Sequence, residues 1–357
     1  MKKRLRRAVA RSPWAAGLAV TGAAVGAAFA ARTLIRRARR IDPVGKRILV
    51  TGGSRGLGLL IADELARRGA RVAICGRDPD GVVAAESWLR QRGRDVVAVS
   101  CDVGERVFAN ALVDEVVDRL GGLDGVINCA GVIEVGPLST VTPEQIEKVV
   151  RTNLFGTVNV TLRALPFLRD AGTAGRIVNI GSVGGRFALP HMLAYDTSKF
   201  GVLGFSEALR AELADGGPQV VTVQPGMMRT GSFYNARFTG DRAAEMAWFS
   251  VLSSMPVLSM NARTAAERIV DATLDGRAFL TLGLSGYAGD LLHRLSPRLA
   301  VALATVAGRL MPQGGDHGAF AAKGRDIESD LPGSTILRRG DIAARNHNED
   351  PPLTAFD

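Results

Sequence analysis

RILVTGGSRGLGLLIADEL, residues 47–65, is the stretch that decides the fold of this chain. It begins with the apolar run Arg47–Val50, continues through the glycine-rich loop TGGSRGLG (51–58) and ends in apolar residues at helical spacing. The three glycines at 52, 56 and 58 would let the backbone turn tightly and approach a pyrophosphate at the N-terminus of the helix. The order of strand, glycine-rich loop and helix therefore predicts a dinucleotide-binding unit.

The same alternation of apolar run and helical pattern continues along the chain. The runs are continuous rather than alternating, as expected for strands that are covered by helices on both faces. This rhythm predicts an α/β fold with a doubly wound parallel sheet of about seven strands, which binds ligands at the carboxyl ends of the strands. The predicted strands are Arg47–Val50, Val72–Cys75, Val96–Ser100, Gly125–Asn128, Arg176–Ile180, Gln219–Val223 and Ala278–Leu282.

The end of the second predicted strand, AICGRD (73–78), bears on the choice of nucleotide. NAD enzymes usually place an acid here to hold the ribose 2′-hydroxyl. This chain has Gly76 at that place, followed by Arg77, and a second arginine, Arg55, lies inside the glycine-rich loop. Two guanidinium groups near a 2′-position favour a phosphate and hence NADP(H), whereas the alternative is two solvated surface arginines.

A tyrosine and a lysine stand four residues apart in AYDTSKFG (194–201). On a helix, Tyr195 and Lys199 would be neighbours, and the ammonium would lower the tyrosine pKa from about 10 toward neutrality. Such a tyrosine could give or take a proton at cellular pH. An ordinary exposed helix that carries both residues by chance is the alternative, and the pair alone does not decide between them.

Taken together, the motifs resemble those of the short-chain dehydrogenase/reductase family over about residues 46–285. TGGSRGLG matches the family's TGxxxGxG, and NCAG (128–131) matches NNAG with Cys129 in place of the second asparagine. Ser182 lies thirteen residues before Tyr195, as the family requires, and QPGMMRT (224–230) matches the loop that meets the nicotinamide amide. The resemblance implies a Rossmann-like fold and an NADP(H)-dependent oxidoreductase.

The resemblance also implies a role for each matched residue. Tyr195 would be the general acid in the reduction direction, Lys199 would lower its pKa, and Ser182 would stabilise charge on the carbonyl oxygen. Asn153 would support a water chain that resupplies the proton. The implied cofactor-binding residues are Thr51, Gly52, Ser54, Arg55, Gly56, Leu57, Gly58, Arg77, Asp102, Val103, Asn128, Ala130, Gly131, Tyr195, Lys199, Pro225, Gly226 and Thr230.

Residues 231–260 form an insertion that covers the substrate in this family. Its aromatic and methionine side chains suit a hydrophobic ketone, aldehyde or secondary alcohol, although the same side chains could simply pack the lid onto the body. Residues 286–312 predict one or two amphipathic helices broken near Pro297, and the last forty residues are polar, so we expect them to be loosely ordered. We therefore divide the chain into segments 1–41, 42–285 and 286–357.

The N-terminal segment accounts for the basic character of the chain. The first 40 residues hold 11 Lys/Arg and no Asp/Glu, whereas the remaining 34 basic residues balance the 35 acidic ones, so nothing indicates a nucleic-acid partner. Residues 14–31 are uncharged and long enough to cross a bilayer, which predicts a membrane anchor. The arginines at 32–40 favour a catalytic domain on the cytoplasmic side, but the flank before residue 14 is also basic, so charge bias leaves the orientation open. A cleaved signal peptide at Ala28-Phe29-Ala30 and a helix lying on anionic lipid are the alternatives.

Cysteine and histidine usage gives no indication of a metal site. Cys75, Cys101 and Cys129 form no CxxC pair, and the four histidines are scattered. A homodimer or homotetramer is compatible with the sequence. The alternative to an enzyme is a non-catalytic nucleotide- or lipid-binding scaffold on the same fold, and turnover with a hydrophobic carbonyl would distinguish the two.

Overall fold

The computed structural model describes residues 33, 38–312, 314, 318–327 and 342–349. The chain divides into two compact units, residues 1–41 and residues 42–357, and the fold below is that of the second. The predicted anchor at 14–31 lies outside the described residues. Within the described ranges, no helix combines the length and the apolar character that crossing a bilayer demands.

Seven parallel strands form the central sheet, in the order β11-β7-β6-β4-β1-β2-β3. The chain therefore builds outward from β1 in both directions, which confirms the doubly wound prediction. Each predicted strand agrees with the observed one to within two residues at either end. The strands are β1 (Arg47–Thr51), β2 (Arg71–Gly76), β3 (Val96–Ser100), β4 (Gly125–Asn128), β6 (Arg176–Ile180), β7 (Gln219–Pro225) and β11 (Phe279–Leu282).

Helices cover both faces of the sheet, which is why its strands are apolar throughout. One face packs against α3, α5 and α6 through a cluster that includes Leu49, Val126 and Ile177. These three residues are neighbours across β1, β4 and β6, and none of them is exposed. The helices are α1 (Gly56–Arg67), α2 (Pro79–Arg90), α3 (Arg106–Leu120), α4 (Pro143–Val150), α5 (Gly156–Asp170), α6 (Leu193–Glu212), α7 (Arg242–Ser254), α8 (Ala262–Leu274), α9 (Leu284–Leu295) and α10 (Pro297–Gly308).

Short strands of two residues each, which the sequence did not predict, hold the lid to the body. β9 pairs in parallel with β5 and antiparallel with β12, and β8 pairs in parallel with β10. β12 comes from the last forty residues, so part of the stretch expected to be loosely ordered is instead a strand of this small sheet. The short strands are β5 (Glu134–Val135), β8 (Met228–Arg229), β9 (Arg237–Phe238), β10 (Met260–Asn261) and β12 (Ala322–Lys323).

The predicted C-terminal amphipathic helices are present as α9 and α10. Ser296 ends the first and caps the second, because its side chain accepts a hydrogen bond from the backbone nitrogen of Leu299 at 3.2 Å. Pro297 occupies the first turn of α10, where a missing N–H costs nothing. The break predicted near Pro297 is therefore confirmed.

Candidate active site

The glycine-rich loop lies between the end of β1 and the start of α1, and its glycines are required by close contacts. Gly52 has a φ of 67°, and a Cβ there would lie 2.7 Å from the Cα of Ala130. A Cβ on Gly58 would overlap the carbonyl of Gly52, so the helix packs directly on the loop. Thr51 Oγ1 accepts hydrogen bonds from the backbone nitrogens of Cys129 and Ala130, at 3.1 and 3.2 Å. These contacts fix the loop at the carboxyl edge of the sheet, directly before the N-terminus of α1, where backbone N–H groups can bind phosphate oxygens.

Two arginines and the end of β2 lie at the side of this loop. Arg77 Nη1 is 3.7 Å from Asp102 Oδ2, and its side chain is 57 % exposed. Arg55, which precedes α1, donates from Nη1 to Asn235 Oδ1 at 2.9 Å. A Cβ on Gly76 would lie 2.7 Å from the Cβ of Ser54, so an acid at position 76 could enter only if Ser54 moved. Packing therefore disfavours, at position 76, the acid that NAD enzymes usually carry there.

Asn128 and the loop after β4 complete the predicted nucleotide side. The Asn128 amide donates to Thr161 Oγ1 and Asn179 Oδ1, both at 2.8 Å. Asn179 in turn donates to Ser206 Oγ, which hydrogen-bonds Thr222 Oγ1 at 2.7 Å. This buried polar chain joins β4, β6, α6 and β7. Sequence reasoning missed it, because each of these residues stands alone in an apolar run.

Asn153 lies in a single π-helical turn, Arg151–Phe155, between α4 and α5. Its Oδ1 accepts from the backbone nitrogen of Val132 at 2.8 Å, and its Nδ2 donates to the Val132 carbonyl at 3.1 Å. Nδ2 also donates to Ser198 Oγ on α6 at 2.9 Å. Asn153 therefore ties the loop after β4 to the helix that carries Tyr195, whereas the water chain implied by the resemblance remains a prediction.

Ser182, Tyr195 and Lys199 come together where β6 and α6 meet. Ser182 follows β6, and its hydroxyl is close enough to the Tyr195 phenol to lower the pKa of that phenol. Lys199 is 6 % exposed, and its Nζ donates to the Ile180 carbonyl at 2.8 Å and lies 5.7 Å from the centre of the Tyr195 ring. A Cβ on Gly131 would lie 3.8 Å from the same Nζ. The structure thus brings the predicted catalytic set and the loop after β4 to one place.

The expected lowering of the tyrosine pKa is wrong for this structure. Burial raises the pKa of Tyr195 from 10.0 to about 12, and the nearby Ser182 hydroxyl opposes that rise only in part. Burial also lowers the pKa of Lys199 from 10.5 to about 8, although Cys129 raises it slightly. Desolvation is the largest influence on the pKa of both groups, so the structure does not show the lowering of the tyrosine pKa that the i, i+4 spacing suggested.

The remaining predicted residues follow the same carboxyl edge. Gly226 comes directly after β7, and its nitrogen donates to the Leu282 carbonyl at 2.8 Å. Thr230 Oγ1 accepts from the backbone nitrogen of Ser232 at 3.1 Å. Val103 is buried beside the loop after β3. The remaining predicted residues lie at strand ends or in the loops that follow them: Ser54, Asp102, Val103, Ala130, Gly131, Pro225, Gly226 and Thr230. Gly56, Leu57 and Gly58 are the first three residues of α1.

The lid is fastened by a cluster that the sequence did not indicate. Glu245 on α7 is fully buried, and its Oε1 lies 2.7 Å from His191 Nδ1. Its Oε2 accepts a hydrogen bond from Trp248 Nε1 at 2.6 Å. His191 has a φ of 63°, which is uncommon for a residue other than glycine. Of the lid's apolar residues, Phe233, Phe238, Met246 and Phe249 are buried, as expected if they pack the lid onto the body.

Comparisons with known proteins agree with this geometry. The family model described as short chain dehydrogenase matches residues 46–239. A Streptomyces coelicolor protein with the provisional name ketoacyl reductase is 40 % identical over 184 residues, which cover 51 % of this chain and 70 % of that protein. The ketoacyl reductase HetN of a Nostoc species is 32 % identical over 201 residues, or 56 % and 70 % of the two chains.

Solved structures lead to the same family. A short chain dehydrogenase from Burkholderia cenocepacia, determined in complex with NADP, has a TM-score of 0.59 and 28 % sequence identity. The match covers 69 % of this chain and all of that one. The family model spans more than half of the present sequence, and the strand order and the residues at the strand ends are consistent with it. This chain belongs to the short-chain dehydrogenase family.

Proposed function

We propose that this protein is an NADP(H)-dependent oxidoreductase that transfers hydride between the nicotinamide and a hydrophobic ketone, aldehyde or secondary alcohol. The observation that carries the proposal is the convergence of Ser182, Tyr195 and Lys199 beside the loop after β4. Gly52 and Gly58 support the proposal because they let the loop pack directly against the backbone around it, which places the N-terminus of α1 at the carboxyl edge of the sheet, where it could bind a nucleotide phosphate. When bound there, the nicotinamide cofactor supplies or accepts the hydride.

The chain's own residues hold and transfer the proton. With its pKa near 12, the Tyr195 phenol keeps its proton at neutral pH and can donate it to a carbonyl oxygen. Ser182, whose hydroxyl is near the phenol, would donate a hydrogen bond to the same carbonyl oxygen. Lys199 would stabilise the phenolate left after transfer, since its ammonium lies over the ring. In the oxidation direction the same groups act in reverse.

Arg55 and Arg77 support NADP(H) as the cofactor. Arg55 belongs to the glycine-rich loop and Arg77 follows β2, and a guanidinium can form charge-assisted hydrogen bonds with a 2′-phosphate. No acid stands at Gly76 to repel that phosphate. The related Burkholderia enzyme was determined with NADP. The names of the two ketoacyl reductase relatives, together with the apolar lid, support a hydrophobic carbonyl as substrate.

We also propose that the enzyme is attached to a membrane, with its catalytic unit facing the cytoplasm. The uncharged stretch 14–31 with its basic flanks supports attachment. A second support is the exposed apolar surface on each of α9 and α10: Leu291 and Leu295 lie one turn apart on α9, and Leu299 and Leu303 lie one turn apart on α10. Arginines on the same two helices suit anionic lipid headgroups.

The function is tested by following NADPH oxidation with ketones and aldehydes of graded chain length. We expect turnover to rise with the apolar length of the substrate. Tyr195→Phe should remove nearly all turnover while NADPH affinity stays close to wild type, because only the proton donor is lost. The matched control is Tyr287→Phe on α9, where the side chain is 55 % exposed. Turnover of Tyr195→Phe within threefold of wild type would contradict the assignment, and NADPH binding without any turnover would favour the scaffold.

A further inference from the structure

The C-terminal segment, defined as residues 342–349, lies on the glycine-rich loop. The backbone nitrogen of Gly56, the first residue of α1, donates to the His347 carbonyl at 2.8 Å. Asn348 Nδ2 donates to the carbonyl of Ser54 at 2.8 Å and to that of Gly81 at 3.2 Å. The N–H group that opens α1, where a pyrophosphate would bind, is therefore already used by the chain itself.

Glu349 fills the space above the same helix terminus. Its side chain is 5 % exposed, and a Cβ on Gly56 would overlap its Oε1. Asn235, from the lid, donates from Nδ2 to Glu349 Oε2 at 2.6 Å and to the Glu349 carbonyl at 2.7 Å. Asn235 Oδ1 in turn accepts hydrogen bonds from Arg55 and Arg325. A carboxyl group held by the lid thus occupies the concave side of the loop.

The other end of the segment reaches the far side of the groove. His347 is hydrogen-bonded to the backbone of Thr230. A Cβ on Gly231 would overlap Ala344, so the segment packs directly on the loop after β7. The segment therefore runs from the loop assigned to the nicotinamide amide to the loop assigned to the phosphates and on toward α2, along the path that an extended dinucleotide would take.

The chemistry of the segment resembles that of the ligand it overlaps. Carbonyl and carboxyl oxygens at a helix N-terminus are stabilised by the same N–H groups and helix dipole that stabilise phosphate oxygens. Burial raises the pKa of Glu349 from 4.5 to about 7, while Arg55, Asn235 and Arg325 oppose that rise. These oxygen atoms and a nucleotide phosphate cannot occupy the same space.

We propose that the C-terminal segment is an intramolecular competitor for the dinucleotide groove, which must leave before NADP(H) binds. The inference rests on the proposed function only in taking this groove as the nucleotide site. The occupied state lowers apparent affinity in proportion to its population, so a tenfold preference for it raises the apparent Kd about elevenfold. The segment would then set the cofactor concentration at which the enzyme becomes active.

Two shortened proteins and one binding measurement test the competitor. One protein ends at residue 341 and lacks the segment, and the matched control ends at residue 349 and lacks only residues 350–357. Kd for NADPH is measured by titration of NADPH fluorescence, without substrate. We expect the protein that ends at 341 to bind NADPH at least tenfold more tightly than the control. A synthetic peptide of residues 342–349, added to the shorter protein, should weaken its NADPH binding again.

The point variant Asn348→Ala gives the same test without shortening the chain. It removes both side-chain hydrogen bonds to the Ser54 and Gly81 carbonyls, so Kd for NADPH should fall several-fold. Asn346→Ala is the control, because Asn346 is exposed on the same segment. Equal Kd values for the two shortened proteins would overturn the inference, and weaker binding by the protein that ends at 341 would make the segment a clamp instead. If none of the proteins binds NADPH, the proposed function fails and not merely the competitor.

Discussion

Two ionisable residues that follow Tyr195 on α6 are almost fully buried. Asp196 and Lys199 are each 6 % exposed. The Asp196 Oδ2 atom accepts from the backbone nitrogen of Leu189 at 2.6 Å, which holds the loop before α6 in place. Burial raises the pKa of Asp196 from 3.8 to about 8, so the acid is mostly neutral at pH 7. The proton donor Tyr195 is therefore accompanied on α6 by an acid that is mostly neutral at pH 7 and by a lysine whose pKa is lowered.

Asp196 makes the stability of the protein depend on pH in a defined direction. Between pH 4 and 8 the folded state holds a proton that the unfolded chain releases, so stability falls as the pH rises through this window. Asp196→Asn removes the titration and can keep the hydrogen bond from Leu189. When the pH rises from 5 to 8, the free energy of unfolding of wild type should fall by at least about 1.4 kcal/mol more than that of Asp196→Asn, the equivalent of one pKa unit.

Thermal unfolding at several pH values measures this gain. Asp215→Asn is the control, since Asp215 is exposed and should change the melting temperature equally little at each pH. A melting temperature of Asp196→Asn that runs parallel to wild type from pH 5 to 8 would show that Asp196 stays ionised in the fold.

Arg77 should contribute to the preference of the enzyme for NADPH over NADH. Wild type should prefer NADPH over NADH by at least about tenfold in kcat/KM, since about 1.4 kcal/mol suffices for that ratio. Arg77→Ala should narrow the ratio, mainly by weakening NADPH, because it removes a donor to the 2′-phosphate. Arg90→Ala on α2 is the control, because Arg90 is 68 % exposed and pairs with Glu86 instead. Equal use of both cofactors by wild type, or an unchanged ratio in Arg77→Ala, would contradict this assignment.

At the scale of elements, the lid helix α7 depends on one buried carboxylate. Glu245→Ala would leave the half-buried His191 Nδ1 and Trp248 Nε1 without their partner, and an unsatisfied polar group costs about 1–3 kcal/mol when it is buried. We expect unfolding in urea to show a loss of about 2 kcal/mol or more. KM for the carbonyl substrate should rise, because α7 would no longer be held against the loop before α6.

The control for this change is Glu267→Ala on α8. Glu267 is exposed, and surface substitutions of that kind usually lie within about 0.5 kcal/mol of wild type. If Glu245→Ala were as stable as Glu267→Ala, the buried cluster would not be what fastens the lid.

The elements also show how far a sequence can predict this structure. Strands such as β4 and β6 were predicted with their observed bounds, because a buried parallel strand is a continuous apolar run with its own local signal. β9 and β12 were missed, since two residues carry no periodicity and their pairing joins positions far apart in the chain. Asn128 and Asn179 could be recognised as polar residues in strands, but only the fold brings their amides together.

The same reasoning explains what was missed at the site. Tyr195, Lys199 and Ser182 follow from motif spacing, whereas the raised tyrosine pKa follows from burial, which spacing does not reveal. Glu349 lies almost three hundred residues after the loop that it covers, in a stretch without apolar pattern. Its position depends on the hydrogen bonds from Asn235 to Glu349 and from the Gly56 N–H to the neighbouring His347 carbonyl, and both bonds form only in the folded chain.

At the scale of the whole molecule, membrane attachment is the property to measure. Full-length protein should sediment with membranes and resist a high-salt wash, because an uncharged stretch of eighteen residues is held by apolar burial rather than by charge. A protein that begins at Asp42 should be less membrane-bound and should still reduce substrate. Release of the full-length protein by salt alone would favour a helix lying on the lipid surface.

Digestion of the catalytic unit by a protease added outside sealed inverted vesicles would place that unit on the cytoplasmic side.

The covalent connection between the C-terminal segment and the groove has a consequence for dilution. An inhibitor that diffuses freely loses its hold as the solution is diluted, whereas a competitor on the same chain is present at a constant local concentration. The apparent Kd for NADPH of the full chain should therefore be the same at nanomolar and at micromolar enzyme. The NADPH concentration that the enzyme needs for binding would therefore be fixed, and neither the abundance of the enzyme nor its purification would change it.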